Sequence, residues 1–295
     1  MARLRFTKMH GIGNDYVYVD CFAVPVADPA SLARRVSPRH TAIGSDGLIL
    51  ICPSRVADCR MEMYNADGSR GEMCGNGIRC VGKYVYDHGL VPKETLSVET
   101  DAGIKVLQLK AVAGRAQAVT VDMGEPILEG RQIPVNADGK IIEYQLEVSG
   151  RSAKITAVSM GNPHAVAFVN EDTIWKLDDH DFARLGRSFE NHPFFPKRVN
   201  TEFILPISRT HLKMRVWERG SGETLACGTG ACAALVAAVL TGRADRKATV
   251  ELRGGNLEIE WRENGDRANH VFMTGEAVEV FRGEVELGAN ELVEV

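Results

Sequence analysis

The chain has 295 residues, of which 44% are apolar and 25% charged, with a formal net charge of −4. This balance predicts a soluble globular protein of two domains and argues against a nucleic-acid partner, which would require a basic face. The chain contains no apolar run of about 18 residues, and its N-terminal residues lack the apolar core of a secretory signal, so we expect no membrane partner. Seven cysteines, an odd number, favour free thiols in the cytoplasm over a disulfide framework.

The first half of the chain is predicted to form short strands around one helix. The alternation of YVYVD at Tyr16–Asp20 is typical of an antiparallel strand, and residues 60–65 (RMEMYN) predict another. A loop rich in glycine and serine then leads to Cys74-Gly-Asn-Gly. A helix is expected over residues 75–88, because Gly89 is a typical residue just beyond a helix end.

The second half of the chain repeats this pattern. Residues 213–218 (KMRVWE) are followed nine residues later by Cys227-Gly-Thr-Gly, the same offset as in the first half. A second helix is predicted from residue 228 to about residue 240, ending before Gly242. Its sequence, ACAALVAAVL, is apolar on nearly all sides, which indicates a helix buried within its domain.

These elements predict an α+β fold of two pseudo-symmetric domains. Each domain is expected to be a mostly antiparallel curved sheet or barrel wrapped around its central buried helix, with the active site in the cleft between the domains. We place the N-terminal domain at residues 1–126 and the C-terminal domain at residues 127–277. The final strand, 278–295, is free to pair back onto the first domain.

The two cysteine motifs indicate acid–base chemistry. A cysteine at a helix start lies beside unpaired N–H groups and the positive end of the helix dipole, which lowers a thiol pKa. A single copy is most simply a buried cysteine at a tight helix entry. Two copies, at Cys74 and Cys227, instead predict two thiols that face opposite sides of one ligand. Inversion of a carbon centre requires this arrangement, with a base on one face and an acid on the other.

Other kinds of site are not indicated by the sequence. The pairs Cys74/Cys80 and Cys227/Cys232 lack the short spacing of a zinc site. Neither glycine-rich loop continues as a phosphate-binding loop, and a dinucleotide fingerprint at the N-terminus lacks its third glycine, where Tyr16 stands. We therefore predict an amino-acid racemase or epimerase with a small-molecule amino-acid substrate and neither metal nor cofactor.

At this point the sequence resembles a known family. The stretches MHGIGNDYVYVD, NADGSRGEMCGNGIRC, MGNPHAV, RVNTEF and ERGSGETLACGTGACAA resemble diaminopimelate epimerase, and the resemblance runs from Lys8 to about Glu279. It implies interconversion of LL- and meso-diaminopimelate in lysine and peptidoglycan precursor biosynthesis. It also implies a cytoplasmic homodimer that needs no cofactor.

The resemblance implies a role for each matching residue. Cys74 and Cys227 would be the acid/base thiols, and His164 and Glu218 the pair that tunes the thiol pKa values. The residues implied for substrate binding are Asn14, Asn65, Gly75, Asn76, Asn162, Asn200, Glu218, Arg219, Gly228 and Thr229. Taken singly, the asparagines beside Gly, Asp or Pro could be turn formers, and Glu218-Arg219 could be an exposed ion pair. Where some relatives carry glutamine, this chain has Gly47, which we leave out of the site.

Two alternatives remain open from the sequence. A proline or hydroxyproline racemase would share the fold and the paired cysteines, but such proteins typically carry histidine where Asn76 stands. A non-catalytic thiol protein that binds a ligand or senses redox state would cause no isotope exchange at the α-carbon of its ligand.

Overall fold

The computed structural model of the protein describes residues 3–22 and 24–286. The chain divides into two compact units. The described residues up to Val121 and those from Gly275 onward form the first unit, and Asp122–Thr274 forms the second. Strands dominate both units, and the predicted α+β class is confirmed. Within the described ranges, no helix is both long and apolar enough to cross a membrane.

The first unit contains two helices and most of the N-terminal strands. Its elements are β1 (Arg3–Gly11), β2 (Asn14–Asp20), α1 (Pro29–Val36), β3 (Gly47–Cys52), β4 (Cys59–Asn65), β5 (Arg70–Gly71), α2 (Gly75–Asp87), β6 (Thr95–Thr100), β7 (Gly103–Val112), β8 (Arg115–Gly124) and, from the end of the chain, β18 (Val278–Glu286).

Strand pairing in the first unit is antiparallel except at two places. β1 pairs with β2 and β18, β3 with β4, β4 with β5, and β6, β7 and β8 follow one another as a meander, all antiparallel. The parallel pairs are β2 with β3 and β4 with β6. β18 lies along β1 from the Arg3–Glu286 pair to the His10–Val278 pair. Residues 287–295 of the predicted final strand lie outside the described residues.

The second unit contains the remaining elements. They are a 3-10 turn at Gly130–Gln132, β9 (Tyr144–Val148), β10 (Arg151–Ser159), β11 (Pro163–Phe168), α3 (Glu171–Ile174), α4 (Asp179–Glu190), β12 (Asn200–Ser208), β13 (His211–Glu218), β14 (Gly222–Glu223), α5 (Gly228–Leu240), β15 (Lys247–Leu252), β16 (Gly255–Trp261) and β17 (Val271–Gly275).

The pairing pattern of the first unit recurs in the second. β10 pairs antiparallel with β9 and β11, β12 with β13, β13 with β14, and β15, β16 and β17 form a meander. The parallel pairs, β11 with β12 and β13 with β15, occupy the same places in the order as those of the first unit. Each unit therefore places its long helix after the same succession of strands.

These long helices, α2 and α5, lie where the sequence predicts them. Both end just before a glycine with φ of +71°, Gly89 and Gly242, which supplies the left-handed residue that a helix end favours. α2 packs against β1, β2, β6, β7 and β18, and α5 against β10 to β13, β15 and β16. In α5 every residue from 231 to 238 is buried, as its apolar sequence predicts.

Candidate functional site

Each unit carries a cysteine as the N-cap residue of its long helix. The Cys74 sulfur accepts the backbone N–H of Gly77 at 3.4 Å, and the Cys227 sulfur accepts that of Gly230 at 3.4 Å. Both cysteines have an extended backbone, so each thiol occupies the position in which a serine or aspartate oxygen usually caps a helix. The repeat in the sequence thus corresponds to a repeat in local geometry, with each sulfur against the unpaired N–H groups of a first turn.

We call Cys74 and its polar neighbours Asn14, Tyr16 and Asp46 the first half-site. The Cys74 thiol donates to Asn14 Oδ1 at 3.1 Å, and Asn14 Nδ2 donates to Asp46 Oδ2 at 2.7 Å. Asp46 therefore orients the Asn14 amide with its oxygen towards the thiol. The Tyr16 side chain hydrogen-bonds the same sulfur. Sequence reasoning missed Tyr16 and Asp46 as members of the site. Asp46 lies two residues after Gly44 in a short polar loop, and its carboxylate there was a signal of a functional residue.

A buried arginine organises the first turn of α2. Arg79 is fully buried and donates to the carbonyl of Gly75 at 3.0 Å and to Asn76 Oδ1 at 3.0 Å. The Asn76 side chain is therefore held by Arg79. A Cβ atom at Gly11 would lie 2.9 Å from Arg79 Nη2, so glycine is needed where β1 passes this guanidinium.

Asn65 and Gly47 lie opposite each other on β4 and β3. The Asn65 side chain donates to Ser69 Oγ at 2.9 Å and its backbone N–H to the Ser69 carbonyl at 2.8 Å, so Asn65 closes the turn after β4. A Cβ atom at Gly47 would lie 2.1 Å from the Tyr64 carbonyl oxygen. The backbone at position 47 therefore has no room for a side chain, and Gly47 contributes none to the site.

We call Cys227, Thr229, Asn162, His164, Glu202 and Glu218 the second half-site. The Cys227 sulfur lies 3.6 Å from Thr229 Oγ1, which accepts Asn162 Nδ2 at 3.3 Å. Asn162 Oδ1 lies 2.9 Å from His164 Nε2. A continuous polar chain thus leads from the thiol at the start of α5 to a buried histidine on β11.

Glu202 is the residue of this half-site that sequence reasoning missed. Its Oε1 lies 2.7 Å from His164 Nδ1, and both side chains are fully buried. The signal was a charged residue inside RVNTEF, in a strand that continues as a buried apolar run. Buried carboxylates require a partner, and His164 is that partner.

The remaining predicted residues of the second unit meet at the end of β13. Asn200 Oδ1 accepts the backbone N–H of Arg219 at 2.7 Å, and Arg219 Nη1 donates to the Lys197 carbonyl at 2.9 Å. The Glu218 carboxylate accepts the Thr224 hydroxyl and hydrogen-bonds Cys227. Within the described ranges Arg219 forms no ion pair with an acidic side chain, which leaves its charge available to an anionic ligand.

Burial controls the protonation of both thiols. Burial raises the pKa of Cys74, against the opposing effects of the Gly77 and Asn76 N–H groups and the Arg79 charge. Burial raises the pKa of Cys227 well above its ordinary value, and the negative charges of Glu218 and Glu202 raise it further. The N–H groups of each helix start lower the thiol pKa as expected, but desolvation of the thiolate outweighs them, so both pKa values lie above the ordinary value.

Iodoacetamide is expected to alkylate Cys74 at lower pH than Cys227. The thiolate is the reacting species. The Glu218 and Glu202 charges oppose its formation at Cys227, whereas the Arg79 charge favours it at Cys74. The measurement is the alkylation rate of each cysteine-containing peptide between about pH 7 and 10 by mass spectrometry. Cys59 is the internal control, because burial raises its pKa to about 12 and its alkylation would report unfolding. Coincident profiles, or a Cys227 that reacts first, would contradict the asymmetry.

Comparison with known proteins identifies the family. The family model described as diaminopimelate epimerase matches residues 6–129 and 156–280. A protein named diaminopimelate epimerase from Acetivibrio thermocellus is 59% identical over 98% of this chain and 100% of its own length. One of the same name from Desulfovibrio desulfuricans is 57% identical over 95% of this chain and 98% of its own length.

Solved structures of low sequence identity share the fold. A phenazine biosynthesis protein of the PhzF family from Bacillus anthracis has a TM-score of 0.70 at 16% identity and covers 97% of this chain and 100% of its own. A probable proline racemase from Agrobacterium radiobacter has a TM-score of 0.71 at 18% identity, over 97% of this chain and 93% of its own. The family itself is shown by the model match and the two close relatives: the chain belongs to the diaminopimelate epimerase family and is an isomerase.

Proposed function

We propose that the protein interconverts LL- and meso-diaminopimelate without a cofactor, by a two-base mechanism that uses Cys74 and Cys227. The observation that carries this proposal is the repeated N-cap cysteine, one at the start of α2 and one at the start of α5. Two chemically equal groups suit a reaction that must run in both directions. The names of the close relatives supply the substrate, and the reaction would belong to the synthesis of lysine and peptidoglycan precursors.

In the proposed reaction one sulfur acts as base and the other as acid. A thiolate takes the α-proton and becomes a thiol, while the other thiol gives its proton to the opposite face of the carbon and becomes a thiolate. The α-proton of an amino acid is weakly acidic, so a thiol pKa raised by burial helps, because it makes the thiolate a stronger base. The N–H groups at the two helix starts would stabilise the charge that develops on the substrate carboxylate.

The substrate has an amino-acid group at each end, and both ends need polar partners. We propose that the first-turn backbone at Gly75-Asn76 and Gly228-Thr229 holds the carboxylate of the reacting end. The arginine side chain suits a carboxylate because it can donate two parallel hydrogen bonds, which assigns Arg219 to a carboxyl group. Asn14, Asn65, Asn162, Asn200 and Glu218 would recognise the remaining amino and carboxyl groups.

The test is deuterium exchange at the α-carbon. Wild-type protein in D2O is expected to introduce deuterium at Cα of LL-diaminopimelate and to form the meso isomer, followed by NMR, and to leave L-proline unchanged. Exchange with L-proline alone would replace the proposal with the proline racemase alternative. No exchange with either amino acid would favour a thiol protein without catalytic activity.

We further propose a cytoplasmic homodimer as the working form. The family resemblance suggests the dimer, and seven free cysteines agree with a reducing compartment. Sedimentation equilibrium that gives the mass of one chain would contradict the dimer.

A further inference from the structure

A carboxylate with no assigned role lies inside the second half-site. Glu202 is fully buried on β12, and its Oε1 contacts His164 Nδ1 at 2.7 Å. Its Oε2 is also buried and has no hydrogen-bond partner among the described residues. A Cβ atom at Gly230 would lie 2.6 Å from Glu202 Oε1 and 3.1 Å from the Cys227 sulfur. The carboxylate therefore abuts the turn of α5 that holds the thiol.

The hydrogen bonds of His164 require this carboxylate. Its Nδ1 faces Glu202 Oε1, and its Nε2 faces Asn162 Oδ1 at 2.9 Å. The Glu202 carboxylate therefore holds one ring nitrogen and the Asn162 amide oxygen faces the other. A carboxylate at Nδ1 fixes the orientation of the buried ring and turns Nε2 towards Asn162.

Asn162 depends in turn on the histidine. With its Oδ1 held by His164, its Nδ2 is directed to Thr229 Oγ1 at 3.3 Å, beside the Cys227 sulfur.

We propose that Glu202 is a positioning residue of the second half-site, which orients the His164 ring and thereby fixes Asn162 and Thr229 beside Cys227. The effect of this positioning on catalysis rests on the proposed function. Glu202 acts through His164 and touches neither substrate nor reacting atoms in this scheme, and it adds a negative charge next to the thiol.

Two carboxylates act on Cys227 from different strands, Glu202 on β12 and Glu218 on β13. His164 on β11 contacts Glu202, and its charge state also acts on Glu218. The Glu202 charge raises the pKa of Cys227. Removal of that charge, with the side-chain volume kept, should therefore let the thiol ionise at lower pH. A purely structural role for Glu202 makes no such prediction.

The experiment is Glu202→Gln in the full-length protein. Gln keeps a hydrogen-bond acceptor for Nδ1 but no charge, so we expect kcat/KM for diaminopimelate to fall by about tenfold or more, the weight of one charge-assisted hydrogen bond. In a Cys74→Ala background, alkylation of Cys227 should move to lower pH.

Asp87→Asn is the matched control, since this carboxylate is 2% exposed and pairs with Lys83 in the first unit. The control should keep the wild-type kcat/KM.

A double-mutant cycle completes the test. If Glu202 acts through His164, the double variant Glu202→Gln/His164→Gln should lose no more activity than His164→Gln alone. Additive losses, or an unmoved Cys227 alkylation profile, would overturn the inference. If Glu202→Gln fails to fold, Glu202→Asp replaces it, because aspartate keeps the charge but has a shorter side chain. This variant should lose activity while the alkylation profile of Cys227 changes little. Full activity of Glu202→Asp would overturn the inference. Wild-type activity on diaminopimelate, measured alongside, decides the proposed function separately.

Discussion

Replacement of either Cys74 or Cys227 with alanine is expected to reduce epimerisation of diaminopimelate by about 10²- to 10⁴-fold, the usual contribution of a positioned acid or base. Each variant lacks a proton donor or acceptor on one face of the substrate, so inversion cannot be completed. Circular dichroism and the unfolding midpoint should stay close to wild type, because each sulfur caps its helix with one long hydrogen bond. The measurement is the rate of conversion of LL- to meso-diaminopimelate.

The single-thiol variants also show which cysteine acts on which face of the substrate α-carbon. The remaining thiolate can still remove a proton and return deuterium to the same face, so each variant should exchange the α-proton of only one configuration, with retention. Cys74→Ala and Cys227→Ala should select opposite configurations. Cys59→Ala is the matched control, since this thiol is fully buried on β4 and belongs to neither half-site. Either variant with full epimerase activity would refute the two-base mechanism.

Replacement of Gly186 with alanine is expected to lower the free energy of unfolding by about 2 kcal/mol. A Cβ atom there would lie between 2.3 and 2.6 Å from three atoms of the Trp217 ring. The ring cannot move away freely, because its Nε1 donates to Glu190 Oε2 at 2.7 Å and Phe182 packs against it edge-on. Overpacking costs up to about 3 kcal/mol, and the better helix propensity of alanine returns only about 1 kcal/mol.

Urea denaturation provides the measurement, with Gly82→Ala as the control. Gly82 is also a buried helical glycine, but its added Cβ would meet Leu107 Cδ2 at 2.6 Å, the far end of a flexible side chain. We expect the control to change stability by less than about 1 kcal/mol. Equal stability of the two variants would show that the Trp217 ring can move. Because Trp217 precedes Glu218, a displaced ring should also lower activity.

Much of the fold was predictable because its signals are local. Helix α5 is apolar on every side and ends before Gly242, and both facts are legible in about a dozen consecutive residues. The alternating YVYVD segment lies within β2 for the same reason. The repeat of the cysteine motif at a constant offset from its strand placed Cys74 and Cys227 at two helix starts, where the structure has them.

The residues that sequence reasoning missed depend on pairing between distant segments. Asp46 reaches Asn14 because β2 and β3 are parallel neighbours, and Glu202 reaches His164 because β11 and β12 are. A parallel pair joins residues separated by a long connection, so no local pattern shows which side chains will meet. Arg79 was missed because a charged residue in a helix is usually exposed, whereas here it is fully buried.

The sequence by itself determined the class of fold, the positions of the two cysteines and the family, because these depend on periodicity and on motifs of consecutive residues. Only the tertiary structure decided how those cysteines ionise. A helix start lowers a thiol pKa, but the burial of Cys74 and Cys227 raises it, and Glu202 and Glu218 add to the effect at Cys227 alone. Desolvation and distant charges are properties of the packed chain, so two motifs that match in sequence become two thiols of unequal acidity.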